Sequence, residues 1–424
     1  MSEKSVEVVE LEAVSPAVTD RYDNGFPEGG WQAWSTLFGA SLVQFATFGY
    51  TNAFGVYQGI KAARYVFPLS QAHTRTDFYV RDYLTKYTPS DIGWIGGVQI
   101  FMIFSAGIIT GRAFDRGYFH HLMIGGAILH SFSFFMLSLS HENQYYQVFL
   151  SQALGGGIAS GIVYIPSLAV VSHYFQRHRP LAMGIVSVGT ALGAVLHPIM
   201  LNKLFHGPIG FHNGVRISAS LNSALLILAN LMMRTRLPPR KTGSIMAIRE
   251  FFHDPPYVFA VIGGLFVICG LFFPVFFLQL DAVKHGVDPE FAFYCISILN
   301  ASSIVGRIIP AMLAPRYGVF NLLIFFTFCM VVFGFCSGGG ITLTPPMLAS
   351  LANDMGEIGA RIGVSFAISG IVGLFAIPIA GALLTSNFHW WHPIIFAGAT
   401  MIIGAGLFGV SRFLLAQKKG TQYV

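Results

Sequence analysis

Residues 174–194 read YFQRHRPLAMGIVSVGTALGA. Arg177, His178 and Arg179 stand directly against a run that carries no charged residue and is notched by Gly184, Gly189 and Gly193. A basic cluster feeding an uncharged run is the pattern of a cytosolic loop entering a membrane span, because short basic loops stay on the cytosolic side. Gly189 and Gly193 fall on one helix face, where the missing side chains let a second backbone approach closely. Arg177 and Arg179 lie near the carbonyl-rich end of the preceding span and within reach of anionic headgroups.

The rest of the chain has the same character. Of its 424 residues 54% are apolar and 10% charged, with a mean hydropathy of +0.62, far from the balance of a water-soluble domain. Uncharged or nearly uncharged runs recur at about 34–57, 91–111, 118–139, 145–172, 181–202, 215–233, 256–280, 291–313, 319–351, 362–385 and 391–411. Most approach the roughly 20 residues that a helix needs to cross about 30 Å of hydrocarbon. They lack the short alternation of barrel strands, so the expectation is an all-α integral membrane protein.

The formal charge of +6 does not point to nucleic acid, because the basic residues flank the runs instead of forming one face. Cys269, Cys295, Cys329 and Cys336 all fall inside apolar runs without metal or disulfide-framework spacing. Paired acids, metal-ligating histidines and a nucleophile beside a base are missing from the runs, so no enzyme, metal or cofactor is expected. Residues 1–30, with Glu3, Glu7, Glu10, Glu12, Asp20, Asp23 and Glu28 against Lys4 and Arg21, read as a disordered cytosolic tail rather than a signal peptide.

With that tail inside the cell, most of the 25 lysines and arginines fall on the inner side. The loop at 234–255 carries Arg234, Arg236, Arg240, Lys241 and Arg249 and divides the spans. The expected organisation is a six-helix bundle at 31–233, a second bundle of five to six helices at 256–415, and a cytosolic tail at 416–424. Two bundles with a site near midplane between them are the layout of secondary transporters. A faint repeat agrees: GRAFDRGYF at 111–119 follows the second span, and GRIIPAMLAPRYGVF at 306–320 follows the eighth.

On these residues the chain resembles the major facilitator superfamily, in its monocarboxylate-porter branch of fungal type. EGGWQAW (28–34), GRAFDRG (111–117) and the 174–194 stretch carry the likeness, and GFHNGVR (210–216) and FHWWHPI (388–394) add to it. The resemblance implies the major facilitator fold, two six-helix bundles, with one span of the second half apparently truncated. It implies a gating role for Gly111, Arg112, Asp115, Arg116 and Gly117, and for Tyr174, Arg177, Arg179, Gly184, Gly189 and Gly193. Asp115 is placed to accept hydrogen bonds from Arg112, Arg116 or the amino end of a neighbouring helix, pinning the cytosolic side until the bundles move. Pro315 stands where the second copy of the motif commonly has an acid, so the latch is expected to be asymmetric.

Arg307 lies about 9 Å, six residues at 1.5 Å each, inside the expected cytosolic end of span eight. A charge there costs at least about 2.5 kcal/mol and normally faces a cavity or a partner, with snorkelling to the cytosol as the alternative. In similar animal porters the matching arginine holds a carboxylate, one turn after an aspartate and opposite a first-span lysine. Here Ser303 takes the aspartate's place, and Thr51 and Asn52 lie near the lysine's, which argues against proton-coupled lactate transport. Tyr50, Asn52, Gln99, Tyr164 and Asn300 complete the expected substrate-binding set, each with helix-to-helix hydrogen bonding as its alternative. His197 reads as an interfacial packing residue or a proton carrier, and Trp390 and Trp391 as interfacial anchors.

Two stretches depart from the pattern. Residues 59–76, GIKAARYVFPLSQAHTRT, separate segments that nearly abut in similar fungal sequences, and read either as a retained intron or as an extracellular loop. Residues 319–351 are too few for two full crossings, which need about 40. One helix there would invert everything after it and nearly balance the basic residues across the membrane, so two short helices are expected. The functional expectation is a multi-pass transporter, most naturally of the plasma membrane and monomeric. It would move a small organic acid or weakly acidic secondary metabolite outward by alternating access, with a proton as the coupling ion to consider. Uptake of a monocarboxylate or vitamin is the alternative, and a non-transporting sensor the different class.

Overall fold

The structure is a computed structural model, and it describes residues 26–53, 83–84, 86–87, 89–205, 207–237, 247–329, 333–352, 357–384 and 390–420. The insertion at 59–76 lies outside them. All the regular elements among the described residues are helical. The first six are α1 (Trp31–Gln44, continued by a π-helical turn, Phe45–Gly49), α2 (Gly93–Asp115), α3 (Phe119–Leu137), α4 (Tyr145–His173), α5 (Arg179–Phe205) and α6 (Gly210–Met232). After a short linker helix, Ala247–Phe251, come α7 (Pro255–Lys284), α8 (Pro289–Tyr317), α9 (Val319–Phe328), α10 (Phe333–Ser350), α11 (Ile358–Leu384) and α12 (Trp391–Lys419). Nine helical segments among the described residues are long and apolar enough to cross a membrane.

The stretch at 319–351 forms two helices, α9 and α10. At 1.5 Å per residue the ten residues of α9 extend about 15 Å, half of a hydrocarbon layer. The repeat has a backbone cause. Gly117 after α2 and Gly318 after α8 take φ of +91° and +85°, left-handed values that side-chain-bearing residues rarely adopt. Each lets the chain leave one helix and enter the next at once. Pro315 lies inside α8, and Arg316 ends it stacked over the Tyr317 ring, 5.6 Å from its centroid.

The expected gating glycines serve two different contacts. A Cβ on Gly193 would sit 2.6 Å from the Phe45 carbonyl oxygen, and one on Gly189 2.7 Å from Ser41 Oγ, so these two seat α5 on α1 within the first half. Gly184 instead faces α8, where a Cβ would meet Ala311 Cβ at 2.9 Å. Gly107 and Gly111 on α2 lie against Gly363 and Gly359 on α11, backbone to backbone. Among the expected gating glycines, therefore, Gly111 and Gly184 join the two halves, while Gly189 and Gly193 lie inside one. Sequence spacing marks a notched face but does not say which helix fills it.

The basic loop between α4 and α5 is organised by Glu28, which sits at φ +47°, a strained value for a residue with a side chain. Its carboxylate accepts the backbone N–H groups of Gln176 at 2.7 Å, of Arg177, and of His178 at 3.1 Å, and it bonds His178 Nδ1 at 3.0 Å. Glu28 N–H in turn donates to the Tyr174 carbonyl at 3.1 Å. Arg177 is exposed, and Arg179 Nε donates to the Phe175 carbonyl at 3.4 Å at the end of α4. Tyr174 is buried and its hydroxyl donates to the Arg234 carbonyl at 2.9 Å, tying this loop to the end of α6. Partial burial raises the Glu28 carboxyl, but the three backbone amides and His178 outweigh it and hold the group below its ordinary value of 4.5.

Two outcomes follow from this packing. Gly111→Ala drives a Cβ into the Gly359 backbone, whereas Gly125→Ala meets nothing within 4 Å. The first should lower the thermal midpoint of the detergent-solubilised protein by several degrees, and the second should leave it unchanged or raise it slightly; equal midpoints would contradict the backbone contact. Because the folded Glu28 group is depressed, its stabilisation is present above pH 4.5 and is lost as pH falls through the folded value. The midpoint difference between wild type and Glu28→Ala should accordingly be largest near pH 7 and shrink toward pH 4; a pH-independent difference would count against the clamp.

Candidate functional site

The site grows from the crossing of the two halves. Phe48 on α1, Phe104 on α2, Tyr164 on α4 and Phe366 on α11 bring their rings together, with Phe104 and Phe366 stacked at 5.4 Å and 10°. Pro166 interrupts the hydrogen bonding of α4 close to Tyr164. This aromatic group forms part of the wall of a cavity with about 1230 Å³ of space free of atoms, open solvent included. The wall is mostly apolar, as small-molecule sites usually are. Its polar members include Asn52, Tyr164, Thr190, Asn300, Ser303, Arg307, Ser365 and Ser369.

Arg307 is 3% exposed, on α8. Its Nη1 donates to the Ser187 carbonyl on α5 at 2.9 Å, across the halves, while its Nε finds no partner among the described residues. No ion pair to Arg307 occurs among the described residues either. A guanidinium presents five donors in a plane that matches a carboxylate. Here one wall of a largely apolar cavity holds such a group with a single protein acceptor recorded for it. Beside it, Ser187 Oγ and Thr342 Oγ1 lie 2.7 Å apart, a second polar tie from α5 to α10. Asn300 Nδ2 donates to the Ile296 carbonyl at 2.9 Å and Ser303 Oγ to the Asn300 carbonyl at 2.8 Å, so the amide oxygen of Asn300 is left to face other groups.

Of the six expected substrate-binding residues, Arg307, Asn52, Tyr164 and Asn300 line this cavity; Tyr50 and Gln99 do not. Tyr50 packs edge-on against Phe134 and His197 within the first half, at 4.6 and 5.2 Å. Gln99 is buried, with Nε2 3.4 Å from Thr51 Oγ1. One position along a helix turns a side chain by about 100°, and the sequence alone did not assign the inward face. His197 is 1% exposed and packs against the rings of Phe45 and Tyr50. Trp391, in contrast, is 58% exposed at the start of α12.

Two polar centres lie where the end of α2 and the start of α7 meet the start of α11. Asp115 Oδ2 accepts the Ala360 N–H at 3.1 Å, at the amino end of α11, where unsatisfied amides and the helix dipole favour an anion. Gly359 makes room for it, since a Cβ there would meet Asp115 Oδ1 at 2.7 Å. The adjacent Arg361, only 2% exposed, donates from Nη1 to Asp254 at 2.8 Å and from Nε to Glu357 at 3.1 Å. Its guanidinium lies over Phe251 and Tyr257 at 4.7 and 5.1 Å, and the Tyr257 hydroxyl donates to its carbonyl. Lys418 joins Asp254 at 3.4 Å, so the linker helix, the starts of α7 and α11 and the end of α12 meet there. Sequence reasoning missed Arg361, whose place at the very edge of an uncharged run looks like an ordinary flanking charge. It also missed Gln44, which bonds Ser167 at 3.0 Å and Thr190 at 3.1 Å and so links α1, α4 and α5.

The chain matches the Major Facilitator Superfamily over residues 36–332. It is 37% identical over 402 residues to the aspyridones efflux protein apdF of Emericella nidulans, covering 90% of this chain and 78% of that one. It is 40% identical over 298 residues to the MFS-type transporter pytF of Aspergillus terreus, covering 70% and 94%. Among solved structures, FucP in the outward conformation aligns with a TM-score of 0.65 at 16% identity over 90% of this chain and 98% of that one, a likeness of fold. The human organic anion transporter MFSD10 aligns with a TM-score of 0.63 at 15% identity over 91% and 99%. With its paired helical halves and the cavity between them, the chain belongs to the Major Facilitator Superfamily of membrane transporters.

Proposed function

We propose that this transporter exports a weakly acidic, largely apolar small molecule by alternating access, with Arg307 as the group that receives its anionic end. The observation that carries the reading is the buried guanidinium in the cavity wall, which among the described residues has one backbone carbonyl as its acceptor and no carboxylate paired with it. A charge kept in such a place is tolerated when a cavity ligand completes its hydrogen bonding. Export is favoured because similar chains include an efflux protein for aspyridones and other fungal MFS-type transporters. Within the superfamily, the Glu-Gly-Gly-Trp entry at 28–31 and the 174–194 stretch support placement in the monocarboxylate-porter branch. The plasma membrane is the natural site for outward transport, and a monomer suffices for the cavity.

Alternation needs the cytosolic contact to open and reclose. Asp115 acts in this account as a latch on the amino end of α11, Gly111 and Gly184 as the smooth surfaces that permit tight closure, and Arg361 as the anchor that fixes the end Asp115 grips. Arg112, Arg116, Gly117, Tyr174, Arg177 and Arg179 shape and restrain the loops on that side, the basic ones beside anionic lipid.

In cells expressing the chain, Arg307→Gln should lower export of an acidic metabolite at least tenfold while leaving the amount of protein in the membrane unchanged. Export at the wild-type rate would refute the assignment. A charge-assisted hydrogen bond contributes about 1.5–3 kcal/mol, so Asp115→Ala should shift the conformational balance roughly tenfold or more toward the cytosol-open form. Faster labelling of a cysteine placed at Ala311, fully buried in the closed contact, would report it; unchanged labelling would remove Asp115 from the latch.

A further inference from the structure

The cavity does not stop between the halves. Beyond the polar wall around Arg307 its lining continues into the second half, past Gly264 and Ile268 on α7, Leu323 and Thr327 on α9, Ile341 on α10 and Phe408 on α12. The ten residues of α9 end at Phe328, one residue past Thr327. This helix packs against α10 and α12, and α7 packs along α12. The space among α7, α9, α10 and α12 is left as an arm of the cavity.

Two independent features show that this arm is open and addressed to a ligand. A Cβ built on Gly264 meets nothing within 4 Å, although Gly264 faces inward among packed helices. Thr327, 1% exposed and lining the arm, has a hydroxyl with no hydrogen-bond partner among the described residues. Buried hydroxyls normally find a partner. Thr344, which also lines the cavity on α10, already donates to the Gly340 carbonyl at 2.8 Å, so Thr327 differs from it in having its hydroxyl unanswered among the described residues.

We propose that the arm is a second subsite that takes the tail of an elongated amphiphilic acid. The acidic head lies against Arg307 between the halves, and an apolar chain extends beside α7 to Thr327, where a carbonyl or hydroxyl on the chain meets the threonine hydroxyl. The inference rests on the reading of Arg307 as the head-group site and adds the shape of the substrate. Leu323 and Thr327 on α9 thereby become determinants of specificity, since they line the space that the tail needs.

The test uses the purified full-length chain in lipid nanodiscs, with equilibrium binding of three probes sharing one head: benzoate, 4-octylbenzoate and 4-octanoylbenzoate. Wild type should prefer 4-octylbenzoate to benzoate by tenfold or more, the scale expected for burying several methylene groups. Gly264→Leu extends a side chain into the arm from a position where a Cβ meets nothing within 4 Å, so it should abolish that preference by weakening 4-octylbenzoate to the affinity of benzoate. Thr327→Val, which keeps the side-chain shape, should weaken 4-octanoylbenzoate severalfold and spare 4-octylbenzoate. Benzoate binding that depends on Arg307 but shows no gain from the tail, or a gain that survives Gly264→Leu, would overturn the arm alone. Failure of wild type to bind any of the three would overturn the head-group reading, and the arm with it.

Discussion

Arg307 holds a full positive charge deep between two helical halves, against a wall composed largely of phenylalanine, leucine, isoleucine and valine. Such a charge is stable only where its hydrogen-bond donors are answered and its field has somewhere to go. The fold supplies one answer, the Ser187 carbonyl from the opposite half. That bond also makes the guanidinium sensitive to the distance between the halves, because α5 and α8 cannot separate without breaking it. In the proposed reading, the group that receives the anion is also one that ties the two halves together, so binding and opening would act on the same residue.

The contact between α2 and α11 works by a different device. Between α2 and α11 the backbones touch through glycines, and Asp115 reaches the free amides at the start of α11 through the gap that Gly359 leaves. Apolar side chains offer little driving force for helix association in lipid, where tails are equally apolar, so close backbone packing and hydrogen bonds must supply it. Both are all-or-none: a carboxylate a few ångströms away from an amide contributes little. The cluster around Arg361 joins one end each of α7, α11 and α12 through three carboxylate contacts and two aromatic faces.

Much of this was legible from the residues. Uncharged runs of membrane-spanning length located the helices, and the depth of Arg307 marked it before any coordinates did. The glycines at 117 and 318 exposed the repeat, since a left-handed turn between two spans admits little else. What could not be read was rotation and partner choice. Tyr50 and Asn52 are two residues apart, yet only Asn52 reaches the cavity, and Gly184 and Gly189 share one helix but seat different neighbours. Arg361 looked like a flanking charge because burial comes from three other segments distant in sequence. The arm in the second half was hidden for a similar reason. Its walls come from four helices, α7, α9, α10 and α12, whose relative placement the sequence does not state.

The most direct test of an anion site on Arg307 is photo-crosslinking. A benzoic acid bearing a diazirine, irradiated on the purified protein and mapped by peptide mass spectrometry, should label the segments of α4 and α8 that carry Tyr164 and Arg307. The labelling should disappear with excess unmodified acid. Adducts confined to outward-facing positions such as Ile309 and Met312, both exposed on α8, and insensitive to competitor would contradict the account.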